Sequence, residues 1–81
     1  MTLLLITLTL FSLPPDGAAL FEESNTAYHE GQYTDAIAGY EKLQHQFEVK
    51  NAALFFNLGN AWRKNGNPGK AILYYEMALA M

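Results

Sequence analysis

Eighty-one residues leave room for one small domain, and a core of that size is marginal unless something outside it contributes. No cysteine is present, which excludes disulfides and thiolate metal sites. With 51% hydrophobic residues and a net charge of -3, the chain is too apolar for a disordered tail and too acidic to attract nucleic-acid backbones.

The first element in the chain is an apolar run from Leu3 to Leu13, broken only by Thr7, Thr9 and Ser12. It is roughly half as long as a helix that crosses a bilayer, a length that suits the core of a signal peptide. Pro14 and Pro15 stop a helix, and the small residues Gly17, Ala18 and Ala19 follow Asp16, so a peptidase cut after Ala19 would leave a mature chain starting near Leu20. Residues 1–19 are therefore expected to be a signal peptide or membrane-anchor segment, with a buried N-terminal helix as the remaining alternative. No lysine or arginine precedes Lys42, whereas a signal peptide ordinarily carries positive charge ahead of its core, so either the true start lies upstream or the segment is not a signal peptide.

From residue 20 the sequence resembles itself at a shift of 35. Phe21 matches Phe56, Asn25 matches Asn60, Gly31 matches Gly66, Ala36 matches Ala71, Ile37 matches Ile72, Tyr40 matches Tyr75 and Glu41 matches Glu76. Apolar residues recur at three and four in both halves of each copy, so each is expected to form two helices joined by a glycine turn. The first copy, 20–50, places its helices at about 20–30 and 34–46. In the second, 51–81, Asn51 caps a helix ended near residue 65 by a left-handed Gly66, and Asn67 and Pro68 open a last helix that runs to Met81. The fold class is all-α, an antiparallel helix-turn-helix repeat.

Small residues at Ala36, Ala71 and Gly59 let paired helices approach closely, with Phe55, Leu58, Trp62, Ile72, Tyr75 and Leu79 expected to fill the seam. Tyr74 and Tyr75 lie about 100 degrees apart on a helix. Tyr75 reads as core, and Tyr74, Leu73 and Met77 as the side on which another repeat would stack.

The run from Leu54 to Trp62, with Gly59 inside it, followed by Gly66, Ala71, Ile72, Tyr75, Ala78 and Leu79, resembles the tetratricopeptide repeat (TPR). The resemblance covers residues 20–81. In the first copy Glu23, Ser24 and Ala27 replace the usual Leu, Gly and aromatic residue, while Gly31, Tyr33, Ala36 and Tyr40 are kept. The chain stops just before the proline that commonly closes a repeat, as a partial chain would. Its opening from Phe21 to Tyr28 and its segment from Gly69 to Leu79 are also similar to the aerotolerance-type (Bat family) TPR proteins of bacterial envelopes.

No catalytic, cofactor-binding or metal residues are expected. The stretch from Gly66 to Ala71 imitates a phosphate loop, but Lys64 stands five before Gly69 where glycine is needed, and Ala71 replaces the metal-binding hydroxyl. Lys70 then reads as a solvated residue on a first turn. His29 and His45 lack a second His or Cys at ligand spacing. Glu22, Glu23 and Glu30 fall in no seam that would bring two together, so no acid–base or nucleophilic arrangement can be assembled.

The resemblance implies that the first helix of each copy lines a concave, peptide-binding face. Its candidate residues are Phe21, Asn25, Tyr28 and His29 in the first copy, and Phe56, Asn57, Asn60, Arg63 and Lys64 in the second. Asparagines both donate and accept, and Arg63 and Lys64 add positive charge, so an extended or helical peptide with an acidic feature is the expected guest. Family members that grip a C-terminal carboxylate use two asparagines placed like Asn25 and Asn57 with a lysine where Phe21 stands, so that mode is not expected. The plainer alternative is that the asparagines decorate a solvated helix. The expected function is a protein interaction module, a scaffold or adaptor in an exported, periplasmic or envelope-associated complex, with membrane association through the N-terminal segment. A self-associating structural unit stacking head to tail is the alternative.

Overall fold

The computed structural model describes residues 17–81. The apolar run and most of the expected signal segment lie outside the described residues. Four helices follow one another: α1 (Gly17–His29), α2 (Tyr33–His45), α3 (Ala52–Lys64) and α4 (Pro68–Leu79). Helix α1 packs on α2 and α3 on α4, and the two hairpins meet through α2 and α3. No strand occurs among the described residues. Helix α1 starts three residues before the expected Leu20, so the three residues Gly17 to Ala19 form its first turn.

The turns and caps repeat with the sequence. Gly31 (φ 79) and Gly66 (φ 86) both take the left-handed conformation that a side chain disfavours. At each turn the next residue reaches back to close the helix end, Gln32 N–H donating to the Ala27 carbonyl (2.8 Å) and Asn67 N–H to that of Trp62 (2.9 Å). The Asn51 side chain accepts from Leu54 N–H at 2.8 Å and that of Asn67 from Lys70 N–H at 3.1 Å, satisfying donors that have no partner within the helix.

The core gathers Leu20, Ala36, Ile37, Tyr40 and Leu43 from the first hairpin with Leu54, Phe55, Leu58, Ala61 and Tyr74 from the second. Ala36, Ala71 and Gly59 are buried as expected. A Cβ on Gly59 would lie 2.5 Å from the Tyr75 ring, so only glycine admits that contact. The first hairpin solves the same problem with different residues. Ser24 occupies the place of Gly59, and Gly39, across from it on α2, stands where the second copy has Tyr74. A Cβ on Gly39 would fall 2.0 Å from the Ser24 Oγ. That hydroxyl is buried and donates to the Leu20 carbonyl at 2.8 Å, which fixes it in place. The apparent degeneracy at Ser24 is thus matched by a second small residue opposite it.

Six side chains sit differently from expectation. Ile72 and Leu79, expected in the seam, are 57% and 87% exposed, since α4 packs chiefly on α3 among the described helices. Tyr74, expected on the stacking side, is buried, with its ring 6.3 Å from that of Phe55 and its hydroxyl donating to Gln44 at 3.4 Å. Tyr75, expected in the core, is half-buried over Gly59. Met77 packs on the core, and Leu73 alone of the expected stacking trio is exposed. Lys70 also departs from a merely solvated role, since its Nζ lies 4.3 Å from the centre of the Trp62 ring in a cation–π contact.

Replacing Gly39 by Ala tests the paired small residues. Ala gains about 1 kcal/mol over Gly in a helix interior, but overpacking against a fixed hydroxyl costs about 1–3 kcal/mol. Chemical denaturation should show Gly39→Ala destabilising in the native background and neutral or stabilising with Ser24→Gly. Additive effects would dissociate the two residues.

Candidate peptide-binding face

Helices α1 and α3 lie on the same side of their hairpins and turn repeat-related residues toward one cleft. The cleft has a volume of about 210 Å³ and is lined by Asn25, Tyr28, His29, Tyr40, Asn57 and Asn60. Five of the expected site residues therefore come together, supplied in part by each hairpin. Phe21 and Phe56 do not line it; they border separate grooves nearer the other end of each hairpin. Arg63 and Lys64 are exposed at the end of α3 and do not line the cleft either.

Two tyrosines of the second helices hold the asparagines of the first. The Tyr40 hydroxyl donates to Asn25 Oδ1 at 2.5 Å, and the Tyr75 hydroxyl to Asn60 Oδ1 at 2.6 Å, the same pair one repeat apart. Each tyrosine ring also packs on the phenylalanine one turn before its asparagine, Phe21 to Tyr40 at 5.9 Å and Phe56 to Tyr75 at 5.7 Å. Asn57 Nδ2 adds a second hydrogen bond to Asn25 Oδ1 at 3.3 Å, which joins the two hairpins across the cleft floor. Arg63 Nε donates to the Tyr75 hydroxyl at 3.4 Å, so the guanidinium is linked to Asn60 through one shared oxygen.

These bonds set the polarity of the cleft. The Oδ1 atoms of Asn25 and Asn60 are occupied by tyrosine hydroxyls, which leaves their Nδ2 groups without a hydrogen-bond partner among the described residues and available as donors. Tyr40 itself lines the cleft, a role the sequence did not reveal because a repeated aromatic residue reads first as core. Its match to Tyr75, at the same distance from a matched asparagine, was the available signal. Burial, with the nearby Tyr28 contributing, pushes the Tyr40 hydroxyl up to about 12. Burial raises Tyr74 as well, with Glu41 adding to it, and the hydrogen bond to Tyr75 raises Arg63 above its ordinary value. Among the described residues no group of three or more His, Cys, Asp or Glu side chains could hold a metal ion.

Comparison with known families now decides the classification. The family profile described as tetratricopeptide repeat matches residues 21–81, three quarters of the chain. The chain belongs to the tetratricopeptide repeat family. Two stacked hairpins with glycine turns, small residues at the helix crossings and a cleft lined largely from the first helix of each repeat are the structural form of that membership. Among curated proteins no match to the chain was found. TPR units generally mediate contacts with proteins or peptides and typically serve as non-catalytic scaffolds.

The Tyr40–Asn25 bond gives a pH test. Because the folded hydroxyl titrates at about 12 and the unfolded one near 10, the unfolded chain loses its proton first, so stability is retained below pH 10 and declines from there to about pH 12. Tyr40→Phe should cost about 0.5–1.5 kcal/mol at neutral pH and flatten that alkaline decline, leaving the smaller part due to Tyr74. An unaltered alkaline slope in urea titrations of the variant would show that Tyr40 is not held as described.

Proposed function

We propose that this TPR pair is an adaptor that binds an extended polypeptide segment along the cleft between α1 and α3, through the acceptor atoms of that segment. The observation carrying the reading is the orientation of the two repeat-related asparagines. Tyrosine hydroxyls occupy their oxygens, so the amide nitrogens face the cleft as donors suited to backbone carbonyls or carboxylates. Arg63 and Lys64, exposed beyond Asn60, favour a guest with acidic residues on that side. Phe21 packs on Tyr40 where a charged clamp would need lysine, which argues against a terminal carboxylate as the main feature recognised.

The setting of this adaptor is proposed from the sequence. The apolar run from Leu3 to Leu13 and the small residues before Leu20 support export to a bacterial periplasm or cell envelope, cleaved or anchored, within a membrane-associated complex like those of aerotolerance-type TPR proteins.

Selection of random peptides on the full chain should return segments with acidic residues. Asn57→Ala combined with Arg63→Ala should weaken them at least about tenfold, or 1.4 kcal/mol, with helicity unchanged. Asn57 and Arg63 suit this purpose because each makes only a long side-chain hydrogen bond, at 3.3 and 3.4 Å, whereas Asn60 holds the Tyr75 hydroxyl at 2.6 Å. Peptides indifferent to the double substitution would remove the cleft as the binding face.

A further inference from the structure

Two positions at which the repeats differ give the cleft a charge that pH can change. At the shift of 35, Tyr28 and His29 at the end of α1 correspond to Arg63 and Lys64 at the end of α3. Arginine and lysine stay charged across the physiological range, whereas histidine ordinarily changes charge between about pH 5 and 8. The α3 side is thus positive throughout, and the α1 side is positive or neutral according to pH. Among the residues that line the cleft, His29 is the one of that chemical type.

The imidazole is exposed and set at the cleft wall. Its ring meets that of Tyr28 edge-on at 5.6 Å, and Tyr28 in turn meets Tyr33 of α2 at 5.5 Å. Glu22 and Glu30 on α1 and Asp35 on α2 are exposed and lie outside the cleft, so no carboxylate lines it to pair with an imidazolium. The other titratable groups in the cleft are the Tyr28 and Tyr40 hydroxyls. From α3 the charged groups beside it are Arg63, close enough to Tyr28 for the two to interact electrostatically, and Lys64. His29 also stands in the last turn of α1, where the helix carbonyls favour a cation. Protonation therefore adds positive charge on the side of the cleft that has none, with no internal partner to neutralise it.

We infer that His29 makes capture of an acidic segment in this cleft tighter as pH falls from about 8 to about 5.5, a regulation that rests on the binding face proposed above. At the upper pH the guest's carboxylates meet positive charge from α3 alone. At the lower pH they meet it from both helices, and they remain ionised because carboxylates ordinarily titrate near pH 4, about a unit and a half lower. Opposite charges at an exposed site attract weakly, so the gain in affinity is about threefold. The chain's second histidine, His45, is exposed at the end of α2 and does not line the cleft, which makes it an internal control.

A capped peptide of alternating glutamate and threonine, and its glutamine counterpart, are titrated into the full chain at both pH values while the side-chain amide resonances of Asn25 and Asn60 are followed. The glutamate peptide should bind about threefold more tightly at the lower pH, and the glutamine peptide equally at both. His29→Gln and His29→Lys should each abolish the difference, the first by removing the charge and the second by making it permanent, while His45→Gln should keep it. Equal affinity of the native chain for the glutamate peptide at both pH values would overturn the inference and leave the binding face standing. A pH effect that survives His29→Gln, or disappears in His45→Gln, would overturn it in the same way. No amide shift at either pH with millimolar glutamate peptide would overturn the binding face and its regulation together.

Discussion

Each hairpin is held by a close crossing of its two helices, and that crossing requires a residue with almost no side chain on one of them. In the second repeat the residue is Gly59, against which the Tyr75 ring lies. In the first, Gly39 accepts the buried Ser24 hydroxyl. The crossing brings a tyrosine of the second helix within hydrogen-bonding reach of an asparagine of the first, and from that pair the polarity of the cleft follows. Spacing the helices further apart would lengthen the Tyr–Asn bonds and release the amides whose direction defines the face. Packing and recognition are thus two consequences of one steric allowance.

Much of this was legible in the sequence because repetition multiplies weak signals. Asn51, Asn67, Pro68, Gly31 and Gly66 each mark a helix end by a local mechanism that needs no knowledge of the rest of the fold, and each does so in the structure. Ala36 and Ala71 were legible for a related reason, since a small residue returning after 35 positions has few explanations other than close approach, and Gly59 because a glycine inside a helix that includes large apolar residues points the same way. The gathering of Asn25, Tyr28, His29, Asn57 and Asn60 into one cleft also followed once the first helix of each copy was placed on one side.

What escaped the sequence depended on neighbours. Helical periodicity assigns Ile72 to the same stripe as Ile37, and it is on that stripe, but burial requires a helix to lie across it. Tyr74 and Tyr75 could be separated by angle, yet which one faced the core turned on the fit of Phe55 and Gln44 against Tyr74. The replacement of a helix-A glycine by Ser24 looked like decay of the motif until Gly39 was seen across from it, a compensation between residues fifteen apart on different helices. Arg63 and Lys64 were placed in the binding set by the family resemblance, with their charge in support, and geometry leaves them beside the cleft instead of in it.

The central claim is the close crossing, and a proton spectrum of the folded chain reads it directly. With the Tyr75 ring packed where a Gly59 side chain would stand, one Gly59 α-proton should be displaced by the ring current and show cross-relaxation to the Tyr75 ring protons. A Gly59 α-proton pair at ordinary shifts, with no such cross-relaxation, would mean that α3 and α4 do not meet there and would contradict the account.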